Sequence, residues 1–193
     1  MNRRDALKNV ALFMGGTVIG GSAFLAGCQS DRRKEVEVAV DLFSEEDIRF
    51  MNEIGEIIIP ETDTPGAKAA GVGSFMARMV SDCYDEKQQR TFISGLKKMK
   101  KNFSKEFDLL FEEAKDEERS SYINNLEIEV ATYYRQKKQE DPEHFYRMLK
   151  ELTLLGYFTS EVGATQALNY IQNPGSYQAC IPYEKGGKAW AVA

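Results

Sequence analysis

Apolar side chains recur every three or four residues through most of the sequence after residue 44, which is the spacing of amphipathic helices. Ser44 precedes three acidic residues and is expected to cap a first helix that ends at Pro60, where a backbone donor is lost. A second apolar stripe runs from Val72 to Cys83, and a third follows Asp85. No strand-turn-strand pattern is present. The pattern predicts an all-α, single-domain bundle of about six helices.

The second half divides at polar and helix-breaking residues. A break is expected near residues 102–104, after which the helical period continues to Ala114. Another helix is centred on residues 122–133. The Asp-Pro-Glu of residues 141–143 is typical of a helix start, because an acid caps it and proline fits its first position. The apolar face of that helix is predicted to include Leu155, and Gly156 is expected to end it.

The last helix is predicted to begin at Thr159 or Ser160 and to stop at the Asn-Pro-Gly of residues 173–175. The remaining sequence has no helical period, so it is predicted to be an extended C-terminal tail. This tail carries the aromatic residues Tyr177, Tyr183 and Trp190. An aromatic tail of this kind is expected to lie across its own helices or on a partner.

The N-terminus has the organisation of an export signal. Arg3 and Arg4 precede an uncharged apolar run at residues 10–25, which resembles a twin-arginine signal for folded cargo. Leu-Ala-Gly-Cys at residues 25–28 resembles a bacterial lipobox, which makes Cys28 the predicted lipidation site. We therefore expect a signal at 1–27, a tether at 28–43 and a helical domain at 44–193. The predicted location is the periplasm, with a lipid anchor in the membrane.

Charge is distributed unevenly and excludes one class of partner. The formal charge of the chain is −5, and the first 27 residues carry +2, so the remainder carries −7. An acidic body of this kind argues against nucleic acid as a partner, since binding a phosphate backbone needs a basic face. Four lysines of the third helix fall largely off its apolar face and are interpreted as solvated surface: Lys97, Lys98, Lys100 and Lys101.

Residues that could form a catalytic site are scarce. The one histidine, His144, lies one turn from Glu140 and could share an ion with it, but a helix start already explains that region. Ser160 is the only candidate nucleophile for His144. The sequence contains neither Cys-x-x-Cys-His nor Gly-x-Gly-x-x-Gly, so no catalytic, cofactor-binding or metal-binding residue is predicted. Cys83 and Cys180 either form a disulfide or are a buried free thiol and an incidental one.

Two stretches of the sequence resemble the gluconate 2-dehydrogenase subunit 3 family. They are residues 58–72 (IIPETDTPGAKAAGV) and residues 152–163 (LTLLGYFTSEVG), followed by Tyr170 and the Pro-Gly at 174–175. The resemblance implies a non-catalytic small subunit, of gamma type. Its expected partner is a large FAD-dependent dehydrogenase of the glucose-methanol-choline type that oxidises a sugar, sugar acid or alcohol. The electrons are expected to pass to haem c in a third, cytochrome subunit or to another acceptor. The small subunit is expected to help export, maturation and stability of the large one.

Both stretches are expected to contribute to the surface that binds the partner. The candidate residues are Thr62, Asp63, Thr64, Pro65, Gly66, Gly156, Tyr157, Phe158, Thr159, Ser160 and Tyr177. A structural interpretation stays open for each, because the turn can simply join two helices and Gly156 can simply end one. Two other functions also stay open: a stand-alone envelope lipoprotein that binds a ligand or envelope component, and an independent hydrolase.

Overall fold

The computed structural model describes residues 42–173, 175–176, 180, 182–183 and 185–191. This part of the chain contains five α-helices, one short π-helix and no strand, so the predicted all-α fold is confirmed. The elements are α1 (Glu45–Ile58), α2 (Val72–Cys83), α3 (Glu86–Phe107), α4 (Asp116–Gln136), α5 (Phe145–Thr159) and the π-helix Gly163–Ala167. The predicted signal and all but the last two residues of the predicted tether lie outside the described residues.

Two helices begin at the capping residues expected from the sequence. The Ser44 hydroxyl accepts a hydrogen bond from Asp47 N at 3.1 Å, and the Asp47 carboxylate accepts one from Ser44 N at 3.0 Å. Asp85 and Gln88 form the same reciprocal arrangement at the start of α3. Each pair satisfies backbone donors that the first turn of a helix leaves without intrahelical partners.

Helix α5 is central to the bundle, because it packs against α1, α2 and α3. The core that these helices share is built from large apolar side chains that are almost fully buried. They include Phe50, Met51, Ile54, Val72, Met76, Val80, Phe92, Leu96, Leu149 and Leu152. The loop after α3 is held by a second group of aromatic rings, in which Phe103 contacts Phe107, Phe111 and Tyr122.

The predicted break near residues 102–104 is wrong, since α3 continues without interruption to Phe107. Phe103 lies in the middle of that segment and is fully buried, so its packing overrides the weak helix propensity of its polar neighbours. The predicted helical continuation to Ala114 is also wrong. Asp108 ends α3 in the left-handed conformation, with φ of 55°, and residues 108–115 form a turn.

The predicted limits of α5 are wrong at both ends. The helix begins after His144 and not at residues 141–143, because the Asp141 carboxylate instead accepts a hydrogen bond from Lys138 N within the preceding loop. Gly156 does not end the helix, which continues to Thr159. Leu155 was predicted to be buried but is 45% exposed, because the buried face includes Gly156 and Tyr157 instead.

The predicted last helix is much shorter than its sequence suggested. The Ser160 hydroxyl accepts a hydrogen bond from Gly163 N at 3.0 Å, but the chain then forms only the π-helix Gly163–Ala167. Part of the tail returns to this point, where Asn169 N donates to Ala189 O at 2.7 Å and Ala191 N donates to Asn169 O at 2.9 Å. Between residues 42 and 191, no described helix is both long enough and apolar enough to cross a membrane.

Candidate functional site

The turn between α1 and α2 is organised by Glu56, a residue that the sequence did not single out. One carboxylate oxygen of Glu56 accepts a hydrogen bond from Glu61 N at 2.9 Å, and the other accepts one from Lys68 N at 2.8 Å. The two sides of the turn are therefore held by one side chain. Gly66 is buried against this carboxylate, and a methyl group in its place would overlap the carboxylate oxygens. This close approach explains why glycine suits the position.

Backbone hydrogen bonds close the same turn and join it to the helices. Ala67 N donates to Ile59 O at 2.9 Å, and Thr62 N donates to Thr64 O at 3.0 Å. Gly73, at the start of α2, donates its N–H to the Asn52 side chain of α1 at 2.7 Å. The turn is consequently a fixed part of the α1–α2 unit.

A second carboxylate on α1 holds charged groups from two other parts of the fold. Glu53 accepts a hydrogen bond from the Arg119 guanidinium of α4 at 2.9 Å, and Lys68 binds the other oxygen of the same carboxylate. The side chains of Glu53 and Arg119 are both less than one-fifth exposed. Because water and salt reach this ion pair less, the attraction between its two charges is screened less than in the exposed ion pairs of the surface. Because Lys68 directly follows the turn, Glu53 fixes the turn relative to α4.

Tyr157 brings the two sequence motifs together. Its hydroxyl donates a hydrogen bond to Pro65 O at 2.7 Å, across 92 positions of the sequence. The side chain is only 1% exposed, and its ring lies edge-on to Phe158 with centroids 5.1 Å apart. Gly156, one residue earlier, allows Phe75 of α2 to pack closely on the helix backbone. The turn and the C-terminal half of α5 therefore form one continuous structure.

The candidate partner-binding residues divide by their exposure. Gly66, Gly156 and Tyr157 are buried, and Thr64, Pro65 and Ser160 are half-buried. Thr62, Asp63, Phe158 and Thr159 are exposed, while Tyr177 lies outside the described residues. The structural interpretation therefore applies to the buried members, which hold the site together. Only the exposed members can make direct contact with another molecule.

An exposed apolar face extends this site along α5; the sequence analysis named Phe158 as a candidate contact, placed Leu155 on the buried face and did not consider Leu154. Leu154 and Phe158 are each 40% exposed, and Leu155 is 45% exposed. Their spacing of three and four residues places them side by side on the helix. We call Leu154, Leu155 and Phe158, together with Thr62 and Asp63 of the turn, the docking face. Part of the signal was present in the sequence, because Leu154 and Phe158 are large apolar residues outside the predicted buried stripe, whereas Leu155 was assigned to that stripe.

His144 caps α5 in the structure. Its Nδ1 accepts a hydrogen bond from Tyr146 N at 3.3 Å, and burial lowers the pKa of the imidazole below its ordinary value of 6.5. Ser160 lies at the other end of α5, roughly 24 Å away along the helix axis, so the two residues do not form a catalytic pair. Among the described residues, no group of three His, Cys, Asp or Glu side chains is arranged to hold a metal ion.

Both remaining cysteines are exposed free thiols in the structure, which does not contain the alternative Cys83–Cys180 bridge. Cys83 is at the end of α2, where its thiol lies 3.9 Å from the Met79 sulfur. The expectation of a buried Cys83 is therefore also wrong. Arg3, Arg4 and Cys28 lie outside the described residues, so the export signal and lipidation site stay predictions.

Comparison with known proteins gives one match. The family model described as gluconate 2-dehydrogenase subunit 3 matches residues 45–175. The chain belongs to the gluconate 2-dehydrogenase subunit 3 family. No curated protein and no solved structure matches the chain. The range shared with the subunit 3 family begins at α1 and contains the turn, the π-helix and all of α5, so it includes the whole docking face.

Proposed function

We propose that this chain is the non-catalytic small subunit of an exported dehydrogenase complex. Its partner would be a large FAD-dependent subunit of the glucose-methanol-choline type, which oxidises a sugar, sugar acid or alcohol. Membership of the subunit 3 family supports a place in a multi-subunit gluconate dehydrogenase complex. The observation that carries the proposal is the docking face, because it combines an exposed apolar surface with a rigid support.

The docking face has the properties expected of a surface that binds a protein. Leu154, Leu155 and Phe158 offer three adjacent apolar side chains that water covers in the free subunit. Exposed apolar patches bordered by polar residues are typical of protein interfaces. Thr62 and Asp63 are exposed polar residues of the turn, which the Tyr157 hydroxyl joins to the same half of α5. Since Tyr157 and Glu56 already fix the turn, little conformational entropy would be lost on binding.

The N-terminal signal supports a role in export. A flavoprotein must fold around FAD before it leaves the cytoplasm, and a twin-arginine signal carries folded cargo. We infer that Arg3 and Arg4 of this chain direct the assembled complex across the membrane, and that Cys28 then anchors the complex there through its lipid. In this proposal the chain stabilises the large subunit during maturation, and a cytochrome subunit with haem c receives the electrons. No redox step is assigned to this chain.

Charge substitution on the docking face tests the interaction. Leu155→Asp combined with Phe158→Asp should abolish co-purification of a flavin-absorbing protein, identified by mass as the large dehydrogenase subunit, when the chain is isolated from its own host. Ile128→Asp is the control, because Ile128 is a 67% exposed apolar residue on α4, outside the docking face. Thr62→Ala with Asp63→Ala should weaken the interaction more modestly, since these two residues are the exposed polar members of the docking face.

Three results would contradict the proposal. The wild-type chain could purify alone and colourless, as the stand-alone lipoprotein interpretation requires. The control could lose the partner as readily as the docking-face variant, or the docking-face variant could retain it. Circular dichroism of each variant is needed, because a partner lost through unfolding would say nothing of the docking face.

The export role has a separate test. Replacing Arg3 and Arg4 by lysine keeps the positive charge but changes the paired arginines that the signal requires. Both this chain and the large subunit should then accumulate in the cytoplasm, which fractionation and immunoblotting would measure. Normal arrival of the large subunit in the periplasm would refute the escort role while leaving the docking face unaffected.

A further inference from the structure

The outer face of α3 carries a stripe of lysines on an otherwise acidic domain. Its members are Lys87, Lys97, Lys98, Lys101 and Lys105, and we call them the lysine stripe. All five are exposed, and at 100° per residue they fall within an arc of about 100°, opposite the buried face of α3. The only acidic residues of the helix are Glu86 and Glu106, near its two ends. The remainder of the chain after residue 27 carries −7, so this local excess of positive charge is not a consequence of overall composition.

The lysine stripe is free of internal partners, unlike its neighbour Lys100. Lys100 turns toward α1, where it binds Asp47 at 2.7 Å and Glu46 at 3.3 Å and lies over the Phe50 ring. None of the ion pairs found among the described residues involves a member of the stripe. Their charges therefore remain available to an external group. The sequence analysis interpreted Lys97, Lys98, Lys100 and Lys101 as solvated surface because they lie largely off the apolar face, and it did not consider Lys87 or Lys105.

An exposed leucine lies beside the stripe. Leu110, in the turn after α3, is 55% exposed, and it lines one groove of about 280 Å³ together with Lys97 and Lys101. Glu46 and Glu112 also line this groove, and Glu46 is already paired with Lys100. Lysines next to an exposed large apolar side chain combine electrostatic attraction with a group that can enter an apolar layer.

The N-terminal chain reaches the domain next to the same helix. Phe43, the last residue before the Ser44 cap, packs edge-on against Phe92 of α3 with ring centroids 5.9 Å apart. Cys28, the predicted lipid-bearing residue, precedes Phe43 by 15 positions. Fully extended, that segment spans at most about 50 Å, so a lipid-anchored domain would stay close to the bilayer. Phe92 is on the buried face of α3, but Glu46, three residues after Phe43, lines the groove that Lys97 and Lys101 also line. This part of the stripe therefore lies near the attachment point and would meet lipid headgroups.

We propose that the lysine stripe and Leu110 bind the surface of an anionic lipid bilayer. The chemistry that the stripe recognises is the phosphate of acidic lipid headgroups, while Leu110 enters the boundary of the acyl region. A polybasic surface strengthens a lipid anchor, because each lysine near an anionic membrane adds to the attraction. The proposal concerns a different helix from the docking face, and it can hold whether or not the dehydrogenase partner is correct.

Vesicle binding of the full chain tests the proposal. The chain is mixed with vesicles of phosphatidylcholine alone or of phosphatidylcholine with phosphatidylglycerol, and bound protein is measured by flotation. Lys97→Gln, Lys101→Gln and Lys105→Gln together should reduce binding to the anionic vesicles by about tenfold or more, and added salt should remove the difference. Binding to the neutral vesicles, which includes any contribution from the apolar N-terminal segment, should not change.

The matched control removes three positive charges elsewhere: Arg78→Gln, Arg135→Gln and Lys138→Gln. These side chains are exposed, make no ion pair within the described part of the chain, and lie outside α3. The control should bind anionic vesicles as the wild type does. Equal losses in the two triple variants would show that only net charge matters and would overturn the proposal, as would wild-type binding without any preference for anionic vesicles. Retention of the dehydrogenase partner by the α3 variant would separate this result from the fate of the docking face.

Discussion

Replacing Tyr157 by phenylalanine isolates the one hydrogen bond that joins the two motifs of the subunit 3 family. The substitution removes only the hydroxyl group, so the buried ring keeps its packing and no large cavity forms. Pro65 O loses the donor that lies 2.7 Å away. The turn would then keep its hydrogen bonds within the α1–α2 unit but would lose its hydrogen bond to α5. The variant therefore tests how the position of the turn relative to α5 affects the protein, while the hydrogen bonds within the turn stay intact.

The expected cost follows from the burial of the pair. A net protein hydrogen bond contributes about 1 kcal/mol, and a buried group left unpaired costs about 1–3 kcal/mol. Tyr157 is 1% exposed and Pro65 is half-buried, so water can reach the carbonyl only in part. We expect the free energy of unfolding to fall by about 1.5 kcal/mol. For a protein of this size, that change lowers Tm by roughly 3–6 °C.

Tyr133→Phe is a matched control, because the Tyr133 hydroxyl also donates to a proline carbonyl, Pro142 O, at 2.7 Å. Tyr133 is half-buried and its hydrogen bond is exposed, so water can replace the lost donor and the expected cost is about 0.5 kcal/mol. Urea denaturation followed by circular dichroism would measure both variants. Tyr157→Phe should also weaken co-purification of the flavoprotein, whereas Tyr133→Phe should not. Equal stability losses, or unchanged partner binding by both variants, would refute the argument that Tyr157 positions the docking face.

Two further predictions concern α5. Gly156→Ala would place a methyl group 2.6 Å from a ring carbon of Phe75, so we expect a loss of about 1–3 kcal/mol in a denaturation experiment, partly restored by Phe75→Leu; a neutral effect would mean that the Phe75 ring moves aside and that its packing does not require the glycine. Burial lowers the pKa of His144 in the folded protein, so as the pH falls the unfolded chain binds this proton before the folded chain does. The free energy of unfolding therefore has its full contribution from His144 above pH 6.5 and decreases as the pH drops below that value. His144→Asn keeps a capping oxygen but removes the titration, so its unfolding free energy should depend less on pH in that range; identical profiles would contradict the lowered pKa of His144.

The sequence predicted the helices well where capping and apolar periodicity agreed. Ser44 caps a helix as expected, and the helix expected after Asp85 begins there with Asp85 as its cap, because a cap depends on residues only three positions apart. The errors arose where tertiary packing opposed local preference. Phe103 packs in an aromatic cluster while α3 stays helical through a polar segment, and Gly156 lies within α5, where it packs against the ring of Phe75. Neither contact is visible from neighbouring residues alone.

The site was predictable as two motifs but not as one structure. The turn chemistry of residues 62–66 was evident, since Asp, Thr, Pro and Gly each have a known local role. Glu56 has no such signal, because an acidic residue near the end of a helix is expected to be solvated. The hydrogen bond from Tyr157 to Pro65 connects positions too distant for any pattern to reveal. These contacts show that most residues of the two motifs stabilise the fold. Only a few exposed side chains of the motifs are left as candidates for binding a partner.

The chain has two distinct outer surfaces, the docking face on α5 and the lysine stripe on α3. Their arrangement explains how a small subunit could bind a partner and a membrane at the same time. Helices α3 and α5 face each other across a close contact in which Gly95 lies against the Phe145 ring. Each helix therefore directs its outer side away from the other. The docking face and the lysine stripe need not compete, so we expect their substitutions to act independently. A chain that carries both sets of changes should lose the flavoprotein and the anionic-vesicle preference by the same factors as the separate variants. Strong coupling between the two losses would instead mean that partner and lipid share one surface.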